Sequence, residues 1–145
     1  MFRKAAIASA AAALMLAGGA TRASTESGVL AAHLSGADEV PGPADPDGSG
    51  AAEIRFQAGE QNVCYDIQVR DIAPATMAHI HGGARGEAGT PPVLALGAPT
   101  DGASSGCVSA PQEVVDRIRA DPGAFFVNIH NQEFPGGAVR GQLHI

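Results

Sequence analysis

The sequence predicts an all-β protein, an antiparallel sandwich or barrel that carries one short helix. Three observations predict it. Short runs in which apolar and polar residues alternate recur along the chain, and period-two alternation marks a strand with one buried face. Turn residues separate those runs, the 145 residues including 19 Gly and 10 Pro. Only one stretch carries an apolar stripe at helical spacing.

The elements follow in order. Val29–Ser35 forms the first strand. The run Asp38-Glu39-Val40-Pro41-Gly42-Pro43-Ala44-Asp45-Pro46-Asp47-Gly48 is a loop, because Pro and Gly do not sustain ladder pairing. Ala52, Ile54 and Phe56 alternate with Glu53, Arg55 and Gln57; Val63, Tyr65, Ile67 and Val69 alternate with Cys64, Asp66, Gln68 and Arg70. Those two strands form a hairpin that turns at Ala58-Gly59-Glu60. Residues 77–81 give a fourth strand, 82–92 a Gly/Pro-rich segment, and 93–96 and 106–109 two further short strands. Ser109 stands three residues before Gln112, the spacing of a capping box, and Val114, Val115 and Ile118 form the stripe of the one helix, which ends near Asp121-Pro122-Gly123. Phe125, Val127 and Ile129 then alternate with Phe126, Asn128 and His130. A turn at Phe134-Pro135-Gly136-Gly137 leads into Val139, Gly141, Leu143 and Ile145. In this last hairpin the set Phe125, Val127, Ile129, Val139, Leu143 and Ile145 is expected to face the core, while Gly136, Gly137 and Gly141 read as turn or bulge positions that exclude a side chain.

The N-terminus sets the compartment. Arg3 and Lys4 precede an apolar run over residues 5–17, and small residues lead to Thr21-Arg22-Ala23. A basic start, a short apolar middle and a small-residue exit make a secretory signal peptide, and the run is shorter than the ~20 residues that span a bilayer. Cleavage after Ala23 fits best and cleavage after Ala20 is the alternative. The chain thus divides into a signal peptide over 1–23, a short leader over 24–27 and one domain over 28–145. An exported protein of this kind is periplasmic or extracellular, with no transmembrane segment in the mature chain.

Removing the signal takes three of the nine basic residues and none of the fifteen acidic ones, so a net charge of −6 becomes −9. Such a surface repels phosphate backbones and offers no basic stripe, which excludes nucleic acid as the expected partner. In an oxidising compartment the two cysteines, Cys64 and Cys107, read as one structural disulfide. Neither belongs to a Cys-x-x-Cys pair, which argues against a redox-active thiol or a zinc knuckle.

The five histidines are His33, His79, His81, His130 and His144. In His79-Ile80-His81 the two imidazoles project from one face of a strand. With Ala78 and Ile80 inward, both rings face outward; His130 and His144 have the same outward parity. Three or four histidines then meet outside the sheet beneath the 82–92 segment, a reasonable metal site with ligands on rigid strands and a loop for shielding. The competing reading is ordinary surface histidine, and it applies most to His144. His33 is background. Asn128 is expected to cap a loop or orient an imidazole. For Arg140, a salt bridge to one of the many carboxylates is preferred over holding an anion near the histidines.

Four runs resemble the CHRD (chordin-type) domain family in order and spacing: Leu34-Ser35-Gly36-Ala37-Asp38-Glu39-Val40-Pro41, His79-Ile80-His81-Gly82, Val127-Asn128-Ile129-His130 and Pro135-Gly136-Gly137-Ala138-Val139-Arg140-Gly141-Gln142-Leu143. The resemblance spans roughly residues 28 to 145. Val40-Pro41-Gly42-Pro43 departs from the more usual Val-Pro-Pro, and Phe126 stands where Tyr is common. The resemblance implies an extracytoplasmic β-rich binding module, of the kind found in an extracellular growth-factor antagonist and in small exported bacterial proteins, and no catalytic residues.

The His-x-His and Asn-x-His motifs are also similar to the copper-ligand strands of Cu/Zn superoxide dismutase, a Greek-key barrel. Carried over residue by residue, His79, His81 and His130 find counterparts as metal ligands, with His144, Asn128 and Arg140 as a fourth ligand or outer support. A bridging His and a zinc cluster find none in residues 82–97. The leading expectation is therefore a binding module that takes up a copper-like ion, with a metal ion or an extracellular protein as partner, rather than an enzyme. A copper-only dismutase-like enzyme and a metal-free structural or adhesive domain are the alternatives. Other chemistries fit poorly: Ala73 and Arg85 occupy positions where a cupin wants Gly and Glu, the 82–86 run lacks the Lys-Ser/Thr ending of a phosphate loop, and there is no Gly-x-Ser-x-Gly elbow.

Overall fold

A computed structural model of the chain describes residues 28–57 and 61–145. The signal peptide over 1–23, the leader over 24–27 and the turn at Ala58-Gly59-Glu60 lie outside the described residues. The strands are β1 (Val29–Ser35), β2 (Ser49–Phe56), β3 (Asn62–Arg70), β4 (Ala75–Gly82), β5 (Pro92–Leu96), β6 (Ala103–Ser109), β7 (Phe125–Asn131) and β8 (Val139–Gln142), and the helix α1 is Gln112–Ala120. Among the described residues no helix is long and apolar enough to cross a membrane.

All eight strands belong to one sheet in the order β5-β4-β7-β8-β1-β2-β3-β6. Each neighbouring pair is antiparallel. The β3–β6 and β4–β7 pairs join strands far apart in sequence, which makes the connectivity Greek-key rather than a simple meander. Alternate residues of the strands turn inward to one core, which includes Leu30, Ile54, Ile67, Ile80, Leu94, Ile129 and Val139. The sheet therefore rolls into a barrel that stays open along one seam, between β5 and β6. Tyr65 of β3 reaches across that seam: its ring lies against Gly106 of β6, and its hydroxyl oxygen accepts the Gly97 N–H at 2.9 Å, one residue past β5.

The helix covers one end of the barrel. Val114, Val115 and Ile118 are buried, while Arg117 stacks on Phe125 at the start of β7 and Arg119 on Phe56 at the end of β2. Ser109 does not cap it. That residue closes β6 opposite Asn62, so the extended backbone continues to Pro111, whose carbonyl accepts the first helical N–H groups, from Val114 and Val115. Ile145 also departs from expectation. It is 95 % exposed, because β8 stops at Gln142 and beyond it the Leu143 N–H bond to the Phe125 carbonyl and a bridge between His144 and Ala31 continue the pairing only as far as residue 144.

Cys64 and Cys107 face each other across β3 and β6 and are joined by a disulfide. Position explains its use. β6 is a sheet edge in which none of the seven residues is fully buried and only Val108 packs in part against the core, so ladder hydrogen bonds and the cross-link do most of the holding. The bond spans 43 residues, which corresponds to about 4 kcal/mol in the chain-entropy description. Replacing both cysteines with Ala is expected to lower Tm by roughly 10–20 °C and to release the β6 amides to hydrogen exchange first. An unchanged melting temperature would show that the ladder alone secures the strand.

Candidate metal centre

The outward face of the sheet around β7 carries the polar residues singled out above. Register sets them in rows: Ala95, His79, Asn128, Arg140 and Ser35 lie across β5, β4, β7, β8 and β1; His81, Phe126 and Gln142 form the next row; Met77 and His130 stand opposite on the other side. This face is outward but not bare. All seven residues of β7 are buried, since the loops before β2 and after β4 fold over it.

His79, His81 and His130 come together. Their ring centroids lie 5.1 Å (His79–His130), 5.5 Å (His79–His81) and 6.2 Å (His81–His130) apart. One nitrogen from each falls within 4.8 Å of the others. His79 Nδ1 and His130 Nε2 are 3.2 Å apart, the spacing of adjacent ligands around an ion with bonds of about 2.0 Å. Fixed partners orient two of the rings. His130 Nδ1 donates to the Pro135 carbonyl at 3.0 Å and His81 Nδ1 to the Thr90 carbonyl at 2.8 Å. Both rings thus turn Nε2, with its lone pair, away from those carbonyls. His81 Nε2 is buried and has no hydrogen-bond partner, an arrangement that costs free energy unless something binds there.

The electrostatics favour neutral rings. Burial, and then the neighbouring His130 and His81, hold His79 below the ordinary 6.5. Burial lowers His130 too; the Pro135 carbonyl opposes the shift and His81 adds to it. Neutral imidazole is the form that ligates.

The remaining expected residues divide. Asn128 Nδ2 donates to Glu39 Oε2 at 2.6 Å. Arg140, 1 % exposed, makes neither the expected salt bridge nor an anion seat. Its guanidinium donates to the carbonyls of Glu87 and Ala84 at 2.7 and 2.8 Å and lies 3.4 Å over the Phe126 ring. That ring also stacks on His81, with 5.2 Å between centroids and 8° between planes. The planar fork of the guanidinium lets Nη1 and Nη2 reach the two carbonyls at once and ties the loop to the sheet. His144 does not join the trio: its bridge to Ala31 carries it over β1, where its ring stacks on His33 at 5.8 Å.

Glu39 is the residue that sequence reasoning missed. It is buried, beneath Gly137, whose positive φ of 142° and close approach to the carboxyl leave no room for a side chain. Burial raises its pKa from 4.5, against the Asn128 hydrogen bond, the Arg140 charge and the Val40 backbone N–H. Its place within the 34–41 run, at the start of the Pro-rich loop, was the available signal, but an acidic loop residue ordinarily faces water.

The model of the CHRD domain matches residues 30–143. The chain belongs to the CHRD domain family. The match takes in every strand of the barrel and all three clustered histidines. No curated protein and no solved structure matches the chain, so the comparison with superoxide dismutase rests on the two histidine motifs alone.

Proposed function

We propose that this CHRD domain is an exported metal-binding module that holds a copper-like ion on His79, His81 and His130. The observation that carries the reading is His81 Nε2, a buried lone pair without a donor, beside two imidazoles that burial keeps neutral. Copper is the first choice because imidazole suits it and it heads the divalent affinity order. Support for export comes from the N-terminal pattern of basic, apolar and small residues and from a disulfide, which persists in oxidising compartments.

Dialysed protein titrated with Cu(II) is expected to bind one ion per chain, with nitrogen hyperfine structure in the electron paramagnetic resonance spectrum. Free copper at about 100 times Kd adds roughly 2.7 kcal/mol of stability. A spectrum without nitrogen ligands would overturn the reading. The pH dependence follows from the histidines. His79 and His130 titrate below 6.5 in the fold, so each is neutral at pH 7 and protons compete only under more acid conditions. Proton competition at this pair therefore sets in only below the ordinary histidine range, and affinity falls as the solution is acidified, with a limiting loss of about two protons per ion from these two rings. The metal-free chain is also less stable as pH drops through 6.5, because the unfolded state takes up protons first.

An enzymatic reading, the copper-only dismutase, draws on the three-ligand set, which leaves a coordination position open. Superoxide turnover that rises and falls with copper loading is its test. Arg140 is engaged with the loop carbonyls and does not supply an anion guide.

A further inference from the structure

The three residues expected to complete the metal centre are engaged elsewhere. Asn128 donates to Glu39, Arg140 is tied to the loop carbonyls, and His144 stacks on His33. A different side chain stands beside the histidines. Met77, His79 and His81 are successive outward positions of β4, and Met77 pairs directly with His130 of β7. Residues paired in this way have Cβ atoms about 4.5–5.5 Å apart. Met77 is 46 % exposed, and the other large apolar side chains so exposed among the described residues, Val29 and Ile145, lie at the two ends of the domain. Met77 lies inside the sheet. On its other side β5 ends at Leu96, opposite Ala78, so among the described residues the ladder gives Met77 only His130 as a cross-strand neighbour. With three rotatable bonds and a polarizable sulfur, the side chain has the freedom to swing over the imidazoles while the backbone stays in place.

We propose that Met77 Sδ is the fourth ligand of this centre and gives it affinity for Cu(I) as well as Cu(II). The proposal rests on the three-histidine metal site put forward above. Donor softness assigns the oxidation state: a thioether selects Cu(I), whereas toward Cu(II) it serves as a weak, long axial ligand. The sequence Met77-Ala78-His79-Ile80-His81 thus places one soft and two imidazole donors on a single strand face, with His130 facing the first of them. A fourth protein ligand also fills the position that a catalytic metal keeps for substrate, so Met77 favours the binding module over the dismutase-like enzyme.

The test compares the full chain with Met77→Leu, which keeps bulk and removes sulfur at an exposed position. Cu(I) is added anaerobically as its acetonitrile complex against a competing chelator, and Cu(II) is titrated separately. Met77→Leu is expected to bind Cu(I) about 10–100-fold more weakly, the scale on which a single supporting group acts at a metal site. Its Cu(II) affinity and nitrogen hyperfine pattern stay close to those of the parent. The midpoint potential of the bound copper then falls by about 59 mV for each tenfold difference. Met77→His, with a harder donor at the same place, reverses the preference and tightens Cu(II) relative to Cu(I). In parent protein with isotope-labelled methionine methyl groups, the resonance that Met77→Leu lacks is expected to shift on Cu(I) binding. If Cu(II) binds with nitrogen hyperfine structure while Cu(I) affinity ignores Met77→Leu, or the methyl resonance stays in place, the histidine centre stands and the Met77 assignment is overturned. If the parent binds neither oxidation state, the centre fails and this proposal fails with it.

Discussion

Replacing both His79 and His81 with Ala is expected to weaken Cu(II) binding at least about 1000-fold. Loss of an outer support alone costs 10–100-fold in metal affinity, and this variant removes two of the three proposed ligands. His79 donates no hydrogen bond to the core, and its neighbours Ala78 and Ile80 point inward at 1 % and 0 % exposure. His81 contributes a hydrogen bond to Thr90 and a stack on Phe126, so the barrel should stay folded with its melting temperature lowered by the several degrees that about 1–2 kcal/mol represents. Calorimetric titration and thermal melts of the same preparation separate the two effects. Copper affinity that survives the double replacement would leave the CHRD domain without this site.

Arg140 gives the second large effect, by a different route. It touches none of the proposed ligand nitrogens, yet it bears on His81 by two routes. Through Phe126 it sets the plane on which the imidazole stacks; through Glu87 and Ala84 it pins the loop whose Thr90 carbonyl takes the His81 Nδ1 hydrogen. Arg140→Met keeps length and loses both hydrogen bonds, each charge-assisted and worth about 1.5–3 kcal/mol. A stability loss of roughly 3 kcal/mol is expected, with copper binding 10–100-fold weaker and an altered nitrogen hyperfine pattern. Arg140→Lys retains the charge but not the fork, and should recover only part of either. If the melt shifts while copper affinity and spectrum stay as they were, Arg140 supports the loop and nothing more.

Much of this was legible in the sequence because strands expose their parity. Alternation in β3 and β7 gave the inward and outward sets, and parity brought His79, His81 and His130 to one face before any geometry was known. What stayed hidden depends on contacts between distant segments. The Glu39–Asn128 hydrogen bond joins residues 89 apart in sequence, and local pattern carries no information on such a pair. Arg140 had the correct parity but the wrong partner, since a backbone carbonyl 53 residues away leaves no mark on the sequence. Ser109 misled for the opposite reason: capping-box spacing is local, and the ladder with β3 took precedence over it. Ile145 followed the alternation of β8 beyond the point where β8 has a neighbour to pack against.

The unclosed seam has a bearing on solubility. β5 and β6 are the two free edges of the sheet, and a free edge is a template on which other chains can add strands. The edge sequence Ala103-Ser104-Ser105-Gly106-Cys107-Val108-Ser109 holds no charge and no proline, the residues that usually guard such a border. Protection falls instead to Tyr65, which occupies the gap with its ring, and to the sulfur bridge, which denies β6 the freedom to swing out. A chain in reducing surroundings keeps only the first of these, so the oxidised form is the one suited to remain monodisperse at high concentration.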